Sequence, residues 1–449
     1  MSAVRRLLGD YGMLLMLGLL GALFSLLTLK RQHPTGPAAA EQIAAEVEGT
    51  VTASDLVLVV AGPAPGSEAT GRAVETRLRA SGFQRVRLVL GEPRNLRLAL
   101  DEARETGGLP SAIAVTSEVL SWRVLERLGS LYPELAVVPL VTARAGYQSD
   151  FLKPANLLAV VDRIVVIAVI AIGMTMVIIT AGIDLSVGSL IALSAVVGTL
   201  VMKQLGGSAA PPWAVAAGFL AGTLFCGALG ALGGALVAQF RVAPFITTLA
   251  LMMVARGLAF LITGGFSIYQ VPEALPWLGQ GRSFGVPNTV ILLALLYLLA
   301  HVFMSRTRLG RHVYAVGGNE EAARLSGVPV KRVLVFVYAA SGLAAGIGGC
   351  IQASQLDTGT PNSGQMYEMY VIAAVVVGGT SLAGGSGKIL GTLIGAFIIS
   401  VIQNGMNLLG IESYTQNVVL GLVILGAVLL DKLRSGSPLP FLSRKGTAA

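Results

Sequence analysis

The sequence predicts an α-helical polytopic membrane protein of about ten transmembrane helices, with a small doubly wound α/β domain, built on a parallel sheet, inserted outside the membrane. Three observations lead there. Of 449 residues, 54% are hydrophobic and only 12% charged, against about 25% charged in an ordinary soluble domain. Fifty-six glycines accompany a mean hydropathy of +0.75, a combination that excludes disorder and fits helices packed closely through small residues. The charge is also unevenly placed, because residues 30–150 hold 13 of the 32 Lys+Arg and 14 of the 24 Asp+Glu. The excess of +8 therefore belongs to the apolar part, which points to membrane orientation and away from nucleic acid.

A helix needs about 20 mostly apolar residues to cross a bilayer. Ten segments qualify, at roughly 11–29, 156–179, 183–202, 213–238, 245–263, 288–304, 333–354, 369–384, 388–407 and 415–430. The first follows Arg5 and Arg6 but lacks a small-residue cleavage site after Leu29, so it reads as an uncleaved anchor. With the N-terminus inside, an even count returns the C-terminus to the cytoplasm. Arg241, Arg306, Arg308, Arg311, Arg324, Lys331, Arg332, Lys388, Lys432, Arg434, Arg444 and Lys445 then join Arg5 and Arg6 inside, while short outer loops carry Lys203 and Arg282. Lys30, Arg31 and Lys153 run against that positive-inside bias, beside a long translocated region where the rule is weaker.

The region between the first two spans alternates differently. After a polar, Pro-containing linker, strands are predicted at Asp55–Val60, Val86–Leu90, Ala112–Val115 and Leu135–Val138. Helices are predicted at Glu68–Ser81, Arg94–Thr106 and Ser121–Leu131. This β-α alternation gives a small parallel sheet covered by helices. Gly62-Pro-Ala-Pro-Gly66 is not GxGxxG, so a nucleotide site is unsupported. The layout resembles one lobe of a sugar-type periplasmic binding protein in element order only, and either docking a partner or binding a ligand fits it. Four regions result: tail and first helix (1–30), inserted extracytoplasmic domain with linkers (31–148), transmembrane body (149–431) containing a cytoplasmic loop (305–332), and cytoplasmic tail (432–449).

Enzymatic and metal chemistry find little support. Cys226 and Cys350 sit in apolar runs and the three histidines are scattered, so neither a disulfide framework nor a metal site is indicated. Gly384-Gly-Ser-Gly-Lys388 is not a Walker A loop, since Leu382 stands where the first Gly belongs and Ile389 follows the Lys. No cofactor is expected on this chain, and an energy source must lie in another subunit.

Polar residues inside the apolar body are the remaining signals. Asp184 lies in Thr180-Ala-Gly-Ile-Asp184-Leu-Ser186-Val-Gly188-Ser189. It either lines a polar pathway with Ser186 or caps the following helix. Glu368, Gln403, Asn404 and Asn407 could line a route for a neutral polyol, which needs donors and acceptors as it loses water; amide side chains equally glue helices together. Asn319-Glu320-Glu321-Ala322-Ala-Arg324-Leu starts like a short helix, with Asn319 as N-cap and two acids in the first turn, stopped by Gly327 and Pro329. Thr180 to Leu190 and Gly379 to Leu390 look alike, through either a parallel duplication or chance.

Four stretches together resemble membrane permeases of the ribose/xylose/galactose class of ABC importers: Ile179 to Leu190, Thr307 to Gly327, Val375 to Gly387 and Gln403 to Gly410. The resemblance covers about residues 150–431 and the first span. It implies a homodimeric permease subunit in a bacterial plasma (inner) membrane, importing a monosaccharide delivered by an external sugar-binding protein. It also implies that Gly317, Gly318, Asn319, Glu320, Glu321, Ala322, Arg324 and Gly327 form a coupling helix seated in a partner ATPase, which uses the ATP. Residues 31 to 148 depart from that family pattern. A membrane-anchored sensor is the alternative, its outer domain detecting a small ligand. An ion-coupled carrier is disfavoured by the few ionisable groups in the spans, chiefly Asp184, Arg163 and Arg256.

Overall fold

A computed structural model describes residues 2–434; Arg444 and Lys445 of the predicted tail lie outside the described residues. The chain divides into two compact units, Leu29–Ser149, and Met1–Thr28 together with Asp150–Ala449. In chain order the second unit begins with helix α1 (Ser2–Leu27).

The Leu29–Ser149 unit opens and closes on an antiparallel ribbon, β1 (Leu29–Gln32) against β6 (Gly146–Ser149). Between them lie α2 (Pro37–Glu48), β2 (Val57–Ala61), α3 (Pro65–Ala80), β3 (Val86–Leu90), α4 (Pro93–Glu105), β4 (Ala112–Val115), two single turns α5 (Arg123–Glu126) and α6 (Leu128–Leu131), and β5 (Leu140–Val141). The sheet is parallel in the order β3-β2-β4-β5, so α3 and α4 cover opposite faces as crossovers in opposite directions require. Alternation along β2 sets the two layers. Val57 and Val59 pack with Ile43, Val47, Val74 and Leu78, whereas Leu58 and Val60 pack with Leu96, Leu100, Leu128 and Leu135.

Three elements here differ from expectation. The supposed linker contains α2, whose Pro37 takes the first helical turn and whose Ala39, Ala40, Ile43, Ala44 and Val47 form the buried stripe. The fourth strand is Leu140–Val141, because Pro133–Leu135 turns as a 3-10 helix and places Leu135 in the core. The helix expected over 121–131 is broken at Arg127 into α5 and α6.

The membrane unit continues with α7 (Pro154–Ile179), α8 (Val187–Gln204), α9 (Trp213–Phe240), α10 (Pro244–Thr263), the single turn α11 (Pro276–Gly279) and a small hairpin, β7 (Arg282–Ser283) and β8 (Val286–Pro287). Then come α12 (Asn288–Arg306), α13 (Arg308–Gly318), α14 (Glu320–Leu325), α15 (Val330–Leu356), α16 (Tyr367–Val377), α17 (Ile389–Leu408) and α18 (Ser413–Arg434). Seven of these are long and apolar enough to cross a membrane: α7, α8, α9, α10, α12, α15 and α17. The other three expected spans correspond to shorter apolar stretches, Gly12–Leu27, Tyr367–Val377 and Ser413–Leu429. The span expected over 369–384 ends as a helix at Val377, where Gly378 and the left-handed Gly379 (φ 81°) turn the chain. At the centre, α7, α8, α9, α15 and α17 share one apolar core that includes Ile170, Met174, Ile191, Cys226, Val337 and Ile399.

Candidate functional site

The loop after α12 is itself helical. Thr307 caps α13 by accepting from Gly310 N at 3.1 Å, and Asn319 caps α14 by accepting from Ala322 N at 2.9 Å. Glu320, Glu321, Ala322, Arg324 and Gly327 are exposed, and Arg324 pairs with Glu321 one turn away. That pairing holds the Glu321 carboxyl below its ordinary range and the Arg324 guanidinium above its own. The result is a short capped helix with both charges and a small residue turned outward.

Gly317 anchors this hairpin to the membrane unit, while the next residue, Gly318, has open space where a Cβ would sit. A Cβ added to Gly317 would lie 1.7 Å from the Ile179 carbonyl oxygen and 2.7 Å from Gly385 N. Tyr314, half-buried on the same helix, donates to the Gly387 carbonyl at 2.8 Å, and burial raises its phenol above the ordinary value. The end of α13 therefore touches both the end of α7 and the glycine turn between α16 and α17. Gly385 lies in one of the two stretches whose sequences look alike, and its N–H donates to the carbonyl of Ile179, the residue just before the other, at 2.8 Å.

Four of the six candidate pathway residues, Asp184, Ser186, Asn404 and Asn407, have hydrogen-bond partners within the unit. Asp184 is buried; one carboxylate oxygen accepts from Ser186 N at 3.0 Å and Ser186 Oγ at 2.6 Å, the other from Ser341 Oγ of α15 at 2.7 Å. It thus closes the turn ahead of α8 and fixes that turn to α15. Asn404 exchanges two amide hydrogen bonds with Asn156, at 2.9 and 3.1 Å, joining α17 to α7. Asn407 accepts from Gln416 Nε2 at 2.8 Å. Gln403 is half-buried on α17. Glu368 is buried in the first turn of α16, beside the first turn of α8.

Ser341, Asn156 and Arg256 are the functional-looking residues that sequence reading passed over or assigned elsewhere. Ser341 and Asn156 complete pairs whose other members are 157 and 248 residues away, so local pattern carries no signal for them. Arg256 was legible only as a charge in a span.

In the Leu29–Ser149 unit, the crevice beyond the carboxyl ends of β2 and β4 is where the strand order reverses, the usual ligand site of such sheets. Here Ser67 accepts from Gly62 N at 2.9 Å and bonds Thr116 Oγ1 at 2.6 Å, while Glu118 accepts from Ala64 N at 3.3 Å. The Glu118 carboxylate lies against Gly62 so closely that a Cβ there would fall 2.2 Å away. The chain's own carboxylate thus lies over the loop that follows β2 at this crevice.

Comparison with known proteins gives a consistent result. The permease family described as "Branched-chain amino acid transport system / permease component" matches residues 156–428. The ribose import permease protein RbsC of Escherichia coli (strain K12) is 42% identical over 302 residues, 66% of this chain and 92% of that protein. RbsC of Bacillus subtilis (strain 168) is 42% identical over 314 residues, 70% of this chain and 94% of that protein. The D-allose transport system permease protein AlsC of Escherichia coli (strain K12) is 36% identical over 306 residues, 68% of this chain and 92% of that protein. No solved structure matches the chain. The family match runs through the helices from α7 to α18 and includes the α13–α14 hairpin, and with the relatives it shows that the chain belongs to the branched-chain amino acid and sugar ABC permease family, as the transport subunit of a sugar importer and not an enzyme.

Proposed function

We propose that this permease crosses a bacterial inner membrane ten times and moves a monosaccharide of the ribose, allose or arabinose kind, handed to it by an external binding protein. The α13–α14 hairpin, residues 308–325, is its contact with a cytoplasmic ATPase that binds and hydrolyses the ATP. A second permease copy gives two ATPase subunits two membrane partners. The observation that carries the reading is the seat of Gly317 on Ile179 and Gly385.

The mechanism is differential stabilisation of two membrane conformations by partners. A push on exposed α14 reaches Gly317 through the contiguous α13, and Gly317 bears on backbone with no flexible side chain to absorb the displacement. The ends of α7 and α16 and the start of α17 then move with the hairpin. Asp184, held by Ser341, carries the same displacement to α8 and α15. Asp184, Ser186, Glu368, Gln403, Asn404 and Asn407 serve the route in different ways: the internally bonded Asp184, Ser186, Asn404 and Asn407 shape its walls, while Glu368 and Gln403 meet the solute.

Residues 31 to 148 are read as an extracytoplasmic docking domain. The support is Glu118, which occupies the crevice a ligand would use. A sensing role would need that crevice free. The function is tested by reconstituting the chain with the ATPase and binding protein encoded beside it and screening monosaccharides for stimulated ATP hydrolysis. Stimulation by one sugar class, dependent on the binding protein, is expected; no stimulation by any sugar in an assembled complex refutes it.

A further inference from the structure

Two helices of the membrane unit, α8 and α16, start after non-helical stretches, and their N-terminal ends meet. Helix α15 serves as a ruler, because Asp184 bonds Ser341, eleven residues and about 17 Å from the start of α15 at Val330. Helix α8, starting at Val187, therefore begins deep inside the unit and runs along α15, with Gly349 against Ile191 and Ser194. After α15 ends, the chain returns along α8 without helical structure. Gly359 lies against Ala195 and Thr199, and Gly364 against Gly188 and Ile191. Helix α16 then starts at Tyr367, with Glu368 in its first turn.

Non-helical backbone at membrane depth is tolerated only where protein or a cavity supplies its hydrogen bonds. Here Ile268, which exchanges backbone hydrogen bonds with Gly359, and Arg256 of α10 supply part of them. The Nη1 of Arg256 donates to Pro361 O and Ser363 O, both at 2.8 Å, and its Nη2 to Gly188 O at 3.3 Å. One half-buried cation thus ties the returning segment to the first turn of α8. Glu368 lies within its electrostatic reach. The fit is tight, since a Cβ on Gly188 would fall 2.1 Å from Glu368 Oε2 and one on Gly364 2.4 Å from Gly188 O. Beside this knot, Ser363 Oγ and Gln352 Oε1 are buried without hydrogen-bond partners, polar groups available to hydroxyls of a passing polyol. Meeting N-termini of broken helices recur where transporters hold their solutes.

We propose that Arg256 is a positioning residue of the translocation gate: by tying residues 361–363 to α8 it holds Glu368 over Gly188 and closes the solute route between power strokes. This rests on the reading of the chain as a sugar permease. Opening requires that the knot release, and Glu368 then accepts from sugar hydroxyls. A structural arginine would lower transport and ATP hydrolysis together when removed; a gate residue separates them.

The test uses the full transporter in proteoliposomes, measuring sugar imported per ATP hydrolysed and ATP-independent efflux of preloaded sugar. Arg256→Gln and Glu368→Gln should each lower sugar moved per ATP by about fivefold or more, as loss of a coupling interaction does, while hydrolysis continues and efflux rises. The double variant should be no worse than the worse single, because both act on one element. An unchanged ratio, a proportional fall in both rates, or multiplying losses would overturn the proposal. Should Arg256→Gln fail to assemble, Arg256→Lys decides: it keeps the charge but cannot fork to three carbonyls, so an intermediate ratio is expected and a wild-type ratio refutes. Absence of import by the wild-type complex would sink the permease reading itself.

Discussion

Gly385 donates its backbone N–H to the carbonyl of Ile179 at 2.8 Å, joining the turn before α17 to the end of α7 across 206 residues of sequence. Gly317 packs on the same pair. Three chain segments thus meet backbone to backbone, where the α13–α14 hairpin enters the membrane unit.

Replacing Gly317 by Ala forces a methyl group into the Ile179 carbonyl. Overpacking of this kind costs about 1–3 kcal/mol, so a lower Tm of the purified protein and a loss of sugar-stimulated ATP hydrolysis are expected. Gly318→Ala is the control. Nothing lies within 4 Å of its added Cβ, and it should stay within about 0.5 kcal/mol of wild type.

Asn319→Ala removes the N-cap of α14, worth about 1 kcal/mol. Amide hydrogen exchange over residues 322–325 should quicken by about fivefold if opening is local, with a parallel drop in coupled transport. Asn319→Asp retains an acceptor for Ala322 N–H and should exchange like wild type. Equal exchange rates for all three would remove the cap from the account.

The Leu29–Ser149 unit carries an alkaline signature. Tyr132 donates to Asp101 at 2.6 Å, and burial followed by that acid raises its phenol to about 12. With the folded value above the unfolded one of about 10, the stabilisation is complete below pH 10 and fades as pH rises toward 12. Tyr132→Phe should cost about 1 kcal/mol near neutrality and flatten that alkaline decline in urea titrations of the unit.

Residues 29–149, expressed alone, should unfold cooperatively in urea. A shorter piece, 50–146, lacks α2 and bares the sheet face made by Val57, Val59 and Val141. Each such core side chain contributes about 1.5–3 kcal/mol when buried, so the shorter piece should bind a hydrophobic dye and lose cooperativity. Equal stability of the two pieces would show that α2 is dispensable.

The membrane helices were legible because an apolar stretch of spanning length has few other readings, and the N-cap at Asn319 because capping is local. What escaped notice was set by distance or by backbone. The shortness of α16 follows from Gly378 and Gly379, which look like any small residues of a packed span. Helix α2 hid behind prolines, although Ala39, Ile43, Ala44 and Val47 keep helical spacing. The reciprocal pairing of Asn156 with Asn404 and the reach of Arg256 to Pro361, Ser363 and Gly188 depend on long-range packing that no local pattern encodes.

The central claim is that force from the ATPase enters through α14. It is tested most directly by placing Cys at Ala322, exposed on α14, in a background lacking Cys226 and Cys350, and cross-linking it in the assembled, transport-active complex. A disulfide to a cysteine introduced along the ATPase groove is expected, with a yield that changes between nucleotide-free and ATP-bound states and with import blocked once the bond forms. No cross-link at any groove position, in a complex that still imports sugar, would contradict it.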